Sequence, residues 1–265
     1  MVRYKHVALI GVDGAGDYFA KTDTPNIDRI FANGAVGHRV LTSIPTISAE
    51  CWGSMLIGVG PEVHGLTNDI VSSVPYPNDS KYPTLFRVIR EQNPDAVLGS
   101  FCNWGPINAG IIESNINVTK DVAGDEKLCE KICAYVKECR PEMLFVQFDE
   151  VDGAGHCHGY GTEKYYDQIK VEDRLIAKIY DAYAEAGIID DTLFIVTADH
   201  GGIGQNHGGT TDVEKYVMFA VAGHDVKHKE IKNMVIRDTP SLCVNVLGYK
   251  QPDTWDSRFP SEIFE

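Results

Sequence analysis

Five short apolar runs alternate with amphipathic stretches along the chain, and this alternation constrains the fold more than any other feature. His6–Val12, Ala96–Phe101, Met143–Phe148, Thr192–Thr197 and Tyr216–Ala222 read as buried strands. Between and after them, 3.6-residue patterning predicts helices over Pro25–Ala32 (capped by Thr24), Ser48–Ile57 (ending near Gly58), Tyr82–Glu91, Glu126–Cys139, Thr162–Ala186 and Thr239–Leu247. Strand followed by helix, repeated, implies a largely parallel sheet with helices on both faces, a three-layer α/β/α sandwich. No repeat, low-complexity tract or long linker interrupts it; Thr67–Lys81, with Pro75 and Pro77, reads as a loop on the surface or over the site.

In such sheets ligands bind beyond the carboxyl ends of the strands. Three of the expected strands end in acidic or acidic-histidine clusters. The first ends at Asp13, the second leads into Asp149, Glu150, Asp152 and His156, and the third runs into Asp199-His200-Gly201-Gly202, with His207 following. Taken alone, Asp13-Gly14 is an ordinary turn, and Asp152 with His156 suits a solvated loop as well as a ligand pair. Together at one sheet edge, the carboxylates would repel one another without a cation. Mixed Asp and His ligation suits Zn²⁺, with Mn²⁺ and Fe as alternatives. Six or more ligands exceed the roughly three that one catalytic zinc takes from protein, and suit two divalent ions about 4 Å apart that clamp a phosphoryl transfer.

Such chemistry also calls for a nucleophile. Pro45-Thr46-Ile47-Ser48-Ala49-Glu50-Cys51 opens a helix directly after a loop. A hydroxyl there sits at the positive end of the helix dipole. On local sequence alone Ser48 reads first as a helix cap, and Thr46 and Cys51 compete with it as nucleophiles.

Composition removes several function classes. The net charge of −14 argues against a nucleic-acid scaffold, which needs a basic face. No stretch reaches the roughly 18 apolar residues of a membrane helix, and the first apolar run is too short for a signal peptide. Seven cysteines without framework spacing suit a reducing cytoplasm. Cys129 and Cys133, four apart on an expected helix, read as small packing residues in preference to a metal pair.

In this order and on these strand ends, the motifs resemble the alkaline phosphatase superfamily, and within it the nucleotide pyrophosphatase/phosphodiesterase branch. Ser48 stands ten residues before Gly58, as the family's nucleophile does before the glycine ending its helix; Thr46 does not. Pro61-Glu62-Val63-His64-Gly65 resembles the branch's Pro-Glu-Ser-His-Gly, Asp152-Gly153-Ala154-Gly155-His156 its Asp-x-x-Gly-His, and Asp199-His200-Gly201 its Asp-His-Gly. The resemblance implies one metal on Asp152, His156 and His207 and another on Asp13, Asp199, His200 and the Ser48 oxygen. It implies that Asn68 holds a non-bridging phosphate oxygen, although it stands one residue out of place. His158 and Asp149 are the neighbouring alternatives of register, and His64 is structural. The implied whole is a single alkaline phosphatase-like catalytic domain over residues 1–265 with little or no cap, since only 42 residues separate His156 from Asp199. The implied reaction is metal-dependent hydrolysis of a small phosphorylated substrate, a diester or nucleotide pyrophosphate, through a phosphoserine. Ser48-Ala49-Glu50-Cys51-Trp52 lacks the Pro and Arg that sulfatases of the superfamily need. The same core serves monoesterases, phosphonate hydrolases and phosphomutases, and a metal-containing binding module is the non-enzymatic alternative. Gly11-Val12-Asp13-Gly14-Ala15-Gly16 is not a dinucleotide fingerprint, because Asp13 replaces the second glycine.

Overall fold

A computed structural model describes residues 4–265. Eight strands form one sheet: β1 (His6–Val12), β2 (Ala35–Leu41), β3 (Leu98–Cys102), β4 (Thr119–Val122), β5 (Met143–Phe148), β6 (Thr192–Thr197), β7 (Tyr216–Ala222) and β8 (Lys229–Glu230). Their spatial order is β4-β3-β5-β1-β6-β7-β2-β8. The five strands from β4 to β6 run parallel, and β7 is antiparallel to both β6 and β2. β1, β5 and β6 lie side by side at the centre and are buried on both faces, as expected for strands of continuous Val, Ile, Leu and Phe.

The helices Asp125–Cys139, Glu163–Glu185 and Pro25–Phe31 pack together, and Ser48–Ile57, Leu85–Gln92 and Thr239–Val246 form a second helical group. The chain is therefore an α/β/α sandwich. Cys129 and Cys133 serve the first group: both thiols point at backbone carbonyls of the long helix, those of Leu175 and Lys178, at 3.5 Å.

The central register positions the site. Gly11 pairs with Gln147 on one side and Thr197 on the other, and the Asp13 amide donates to the Phe148 carbonyl at 2.8 Å. The three chain segments leaving β1, β5 and β6 thus emerge level at one edge. The expectation of a loop at Asp152 and His156 is corrected: Glu150–His158 is a helix. Its two internal glycines disguise it in sequence, and packing on the Glu163–Glu185 helix stabilises it. The expected loop from Thr67 likewise begins with a short helix, Asn68–Ser73, whose cap Thr67 accepts from the Ile70 amide.

Candidate active site

Asp13 and Asp199 are both buried, and each is held by one oxygen. Asp13 Oδ2 accepts from Trp52 Nε1 at 2.8 Å and Gln147 Nε2 at 3.0 Å. Asp199 Oδ1 accepts from the backbone amides of Gly14 at 3.1 Å and His200 at 2.8 Å. The other oxygens, Asp13 Oδ1 and Asp199 Oδ2, are buried without any hydrogen-bond donor. Both face His200 Nε2, at 3.5 and 3.4 Å. Ser48 Oγ completes the group, 3.2 Å from the same nitrogen.

The histidine ring contacts decide what this convergence means. His200 Nδ1 lies 3.0 Å from the Gly201 carbonyl, His156 Nδ1 2.8 Å from that of Gln205, and His207 Nδ1 2.7 Å from that of Thr46. A carbonyl only accepts, so each Nδ1 carries the proton and donates it. In the neutral ring each Nε2 is then the lone pair, the tautomer of a metal-ligating histidine held by an outer carbonyl. His200 is fully buried, and burial holds its pKa well below the ordinary value. Its contacts with Asp13 and Asp199 are therefore not ion pairs but lone pair against lone pair. Such contacts inside a buried pocket are costly unless a cation lies among them. The donor set fits a divalent metal on this ground alone.

A second group adjoins the first. Asp152 and His156 lie one turn apart on their helix, with His156 Nε2 3.2 Å from Asp152 Oδ2, and His207 Nε2 approaches Asp152 Oδ1 at 3.9 Å. The rings of His200 and His207 stack at 4.0 Å, so the two groups share a wall. Two sets in this pocket are close enough to hold an ion by three atoms: Asp13, Asp199 and His200, and Asp152, His200 and His207.

The backbone makes room for this crowding at two glycines. A side-chain carbon at Gly11 would lie 2.2 Å from the Trp52 ring, whose indole must cross that spot to reach Asp13. Gly14 has φ of +67°, and a Cβ there would lie 2.5 Å from Asp152 Oδ1. Only glycine lets the turn after β1 pass between two carboxylates while its N–H holds one of them.

Ser48 is the first residue of its helix; Ile47, not Ser48, holds the cap position, and the Ser48 hydroxyl makes no capping bond. The competing nucleophiles point elsewhere. Thr46 Oγ1 is tied to Gly208 and Gly209. The Cys51 thiol points at the carbonyls of Ser43 and Pro45, and burial pushes its pKa well up. Asn68 sits beside the nucleophile: its Oδ1 accepts from the Ala49 amide at 2.9 Å, which leaves its NH₂ group to donate. Asp149 accepts from Gln147 and stands outside both three-atom sets. His158 is exposed at the end of its helix.

Three supporting residues escape a reading of the motifs. Trp52 and Gln147 aim Asp13, and Tyr160 donates its hydroxyl to Asp152 Oδ1. Trp52 lies one helical turn beyond Ser48, and Gln147 is a polar residue inside an apolar strand, so both leave a trace in the sequence. Tyr160 leaves none.

His64 lies behind the nucleophile helix. Its Nδ1 accepts from the Leu66 amide at 3.0 Å, so Nε2 carries the proton towards the Glu50 carbonyl at 3.3 Å. Burial lowers its pKa to about 4. The folded chain thus keeps His64 neutral where the unfolded chain protonates it, so this contribution is intact above the ordinary histidine value and is lost as pH falls from 6.5 towards 4. Unfolding titrations from pH 7 to 4.5 should show His64→Gln losing less stability than the parent, by roughly 2 kcal/mol. Parallel pH profiles would remove His64 from this role.

The fold and site define a class: an α/β/α sandwich with a serine hydroxyl beside two Asp/His clusters at the sheet's carboxyl edge. Residues 7–221 match the family model for type I phosphodiesterase / nucleotide pyrophosphatase, and the chain belongs to that family. Ectonucleotide pyrophosphatase/phosphodiesterase family member 7 is 21% identical in its human form over 254 residues and 20% identical in its mouse form over 220. These alignments cover 87% and 75% of this chain but only 52% and 50% of the relatives, so the chain spans about half their length. Murine ectonucleotide pyrophosphatase/phosphodiesterase 5, in an inactive form in complex with AMP, superposes with a TM-score of 0.77 at 15% identity, covering 95% of this chain and 97% of that one. A 2-O GAG sulfatase superposes with a TM-score of 0.78 at 14% identity, covering 98% and 74%. At these identities the superpositions establish the shared alkaline phosphatase-like fold.

Proposed function

We propose that the chain hydrolyses phosphodiester or nucleotide pyrophosphate bonds through a covalent intermediate on Ser48. The observation that carries this reading is the convergence of Ser48 Oγ, two donorless carboxylate oxygens and an unprotonated imidazole nitrogen on one point. Asp152, His156 and His207 would hold one divalent ion, and Asp13, Asp199, His200 and Ser48 the other, with Zn²⁺ the first candidate and Mn²⁺ or Fe the alternatives. Such a pair, when bound, supplies the positive charge that lowers the serine pKa and offsets charge building on the phosphoryl oxygens.

The chain's own residues do the rest. Ser48 Oγ attacks phosphorus, forming an Oγ–P bond as the P–O bond to the leaving group breaks. Water then cleaves the Oγ–P bond and returns the hydroxyl. Asn68 donates its amide N–H to a non-bridging oxygen, and the start of the Ser48–Ile57 helix places its dipole behind the same charge. Trp52, Gln147 and Tyr160 aim the carboxylates. These parts all lie on one sheet edge, which supports their working as one catalytic unit. The AMP carried by the murine relative supports a nucleotide as the small phosphorylated substrate.

No described helix is long and apolar enough to cross a membrane. All seven cysteines are unpaired, which supports a reducing, cytoplasmic setting.

The test compares bis-p-nitrophenyl phosphate with p-nitrophenyl phosphate after chelation and after return of Zn²⁺ or Mn²⁺. The expected result is activity lost on chelation and restored by metal, with kcat/KM for the diester higher by about tenfold or more. A restored preference for the monoester would overturn the diester assignment. Two bound metals with no turnover of either ester would overturn the hydrolase reading.

A further inference from the structure

Away from the two Asp/His groups, three carboxylates from three helices meet. Asp125 opens one helix and is fully buried, Glu150 opens the second and is exposed, and Glu172 lies mid-way along the third, fully buried. One oxygen of each lies within 4.8 Å of the others. Oxygen ligands of Ca²⁺ sit about 2.3–2.6 Å from the ion and so about 5 Å apart at most. The spacing therefore suits one ion.

A cluster of acids alone would say little; Glu172 says more. Its Oε1 accepts from Gln168 Nε2 at 2.9 Å, but its Oε2 is buried and has no donor, on a carboxyl group that lies within reach of those of Asp125 and Glu150. The oxygens of Asp125 are already oriented. They accept from the amides of Asp149 at 3.1 Å and Glu150 at 2.9 Å, and from Asn103 Nδ2 at 2.9 Å. Glu150 accepts from the Asp125 amide at 3.2 Å and from Gln168 at 3.3 Å. No lysine, arginine or histidine forms an ion pair with any of the three among the described residues.

We propose that Asp125, Glu150 and Glu172 form a separate site for a hard divalent cation, Ca²⁺ first. An all-oxygen set disfavours the borderline metals that the Asp/His groups suit. The exposed Glu150 side admits water to fill the remaining positions, and an irregular set of oxygens suits Ca²⁺ better than Mg²⁺, which demands a near-ideal octahedron. The ion would act at a distance on the candidate active site. Asp125 binds the amides that start the helix carrying Asp152 and His156, and Asp149 at that start receives Gln147, which also holds Asp13. Glu150 and Asp125 are thereby positioning residues.

The competing arrangement is a proton shared between Glu172 and Asp125, and calorimetry separates the two. The full chain, equilibrated with Zn²⁺, is titrated with Ca²⁺ alone. The expected result is one equivalent bound, weakened about tenfold or more in Glu172→Gln and in Glu150→Gln, with zinc content unchanged. Glu150→Gln, at the exposed rim, carries the test should Glu172→Gln fail to fold. An isotherm unaltered by either change, or no binding in the parent chain at millimolar Ca²⁺, overturns the proposal. Diffraction from parent crystals grown with CaCl₂ gives the direct answer. A cation peak among the three carboxylates supports the site, and two carboxyl groups in direct contact with no peak refute it.

Discussion

Ser48→Ala is expected to lower kcat for a phosphodiester by about 10³-fold or more, while both metals still bind. The hydroxyl is the only part removed. Asp13, Asp199 and His200 keep their own supports from Trp52, Gln147, Gly14 and Gly201, and none of those bonds uses the Ser48 hydroxyl. The nucleophile helix also keeps its start, because Ser48 is not its cap and the Ala49 amide is held by Asn68. Loss of rate with both metals still bound would therefore locate the defect in the covalent step. Thr46 and Cys51 offer no rescue, since the first is tied to Gly208 and Gly209 and the second is buried as a neutral thiol. Rapid-quench trapping of phosphate on the parent chain, absent in the variant, would complete the case. A variant turning over at near-parental rate would remove Ser48 from the chemistry.

How far the sequence foretells this arrangement follows from what each element is made of. β1, β5, β6 and β7 fall where their apolar runs stand, because strands buried on both faces need continuous hydrophobic sequence. β3 is offset, at Leu98–Cys102 against the expected Ala96–Phe101, since Ala96 and Val97 fit strand or loop equally well. β2, β4 and β8 leave weaker signals. β2 carries Gly37, His38 and Arg39 with several positions open to water, and β4, Thr-Lys-Asp-Val, is a polar edge. Edge strands need bury little, so composition does not mark them.

The site divides in the same way. Asp13, Asp199 and His200 are legible as strand-end residues once the strands are placed. The Glu150–His158 helix is not, because Gly153 and Gly155 weaken it and only packing restores it. That helix is what sets Asp152 and His156 one turn apart. Gly155 is also the point where the Tyr160 ring crosses, as a Cβ there would lie 2.5 Å from it. Tertiary contact is absent from any local pattern, which is why Tyr160 and its bond to Asp152 emerge only from the structure.

Asp199→Asn is expected to separate the cost of the metal groups from their benefit. In the metal-stripped chain, once the carboxyl groups are ionised, Asp13 Oδ1, Asp199 Oδ2 and His200 Nε2 face one another with lone pairs only. An asparagine keeps the oxygen that receives the Gly14 and His200 amides and turns an N–H₂ towards the other two atoms. A buried orphan acceptor costs about 1–3 kcal/mol, so the stripped variant should be more stable than the stripped parent by that order. The sign with pH follows from the same burial. Desolvation, helped by neighbouring carboxylates, pushes Asp13 and Asp199 well above the ordinary range. The folded, stripped parent therefore retains protons that the unfolded chain has released, and loses stability as pH rises above that range. With one such group deleted, the variant's advantage should widen towards neutral pH. Metal reverses the ranking. Zn²⁺ at a thousandfold excess over Kd should stabilise the parent by about 4 kcal/mol, or about 10 °C in Tm for a chain of this size. The variant, missing one ligand of the group around Ser48, should gain much less and lose diester turnover with it. Scanning calorimetry of both chains, stripped and loaded, at pH 6 and 8 reads all eight values. Equal gains from Zn²⁺ would exclude Asp199 as a ligand, and a stripped variant weaker than the stripped parent would show that the crowded carboxylates are held by something other than a missing positive charge.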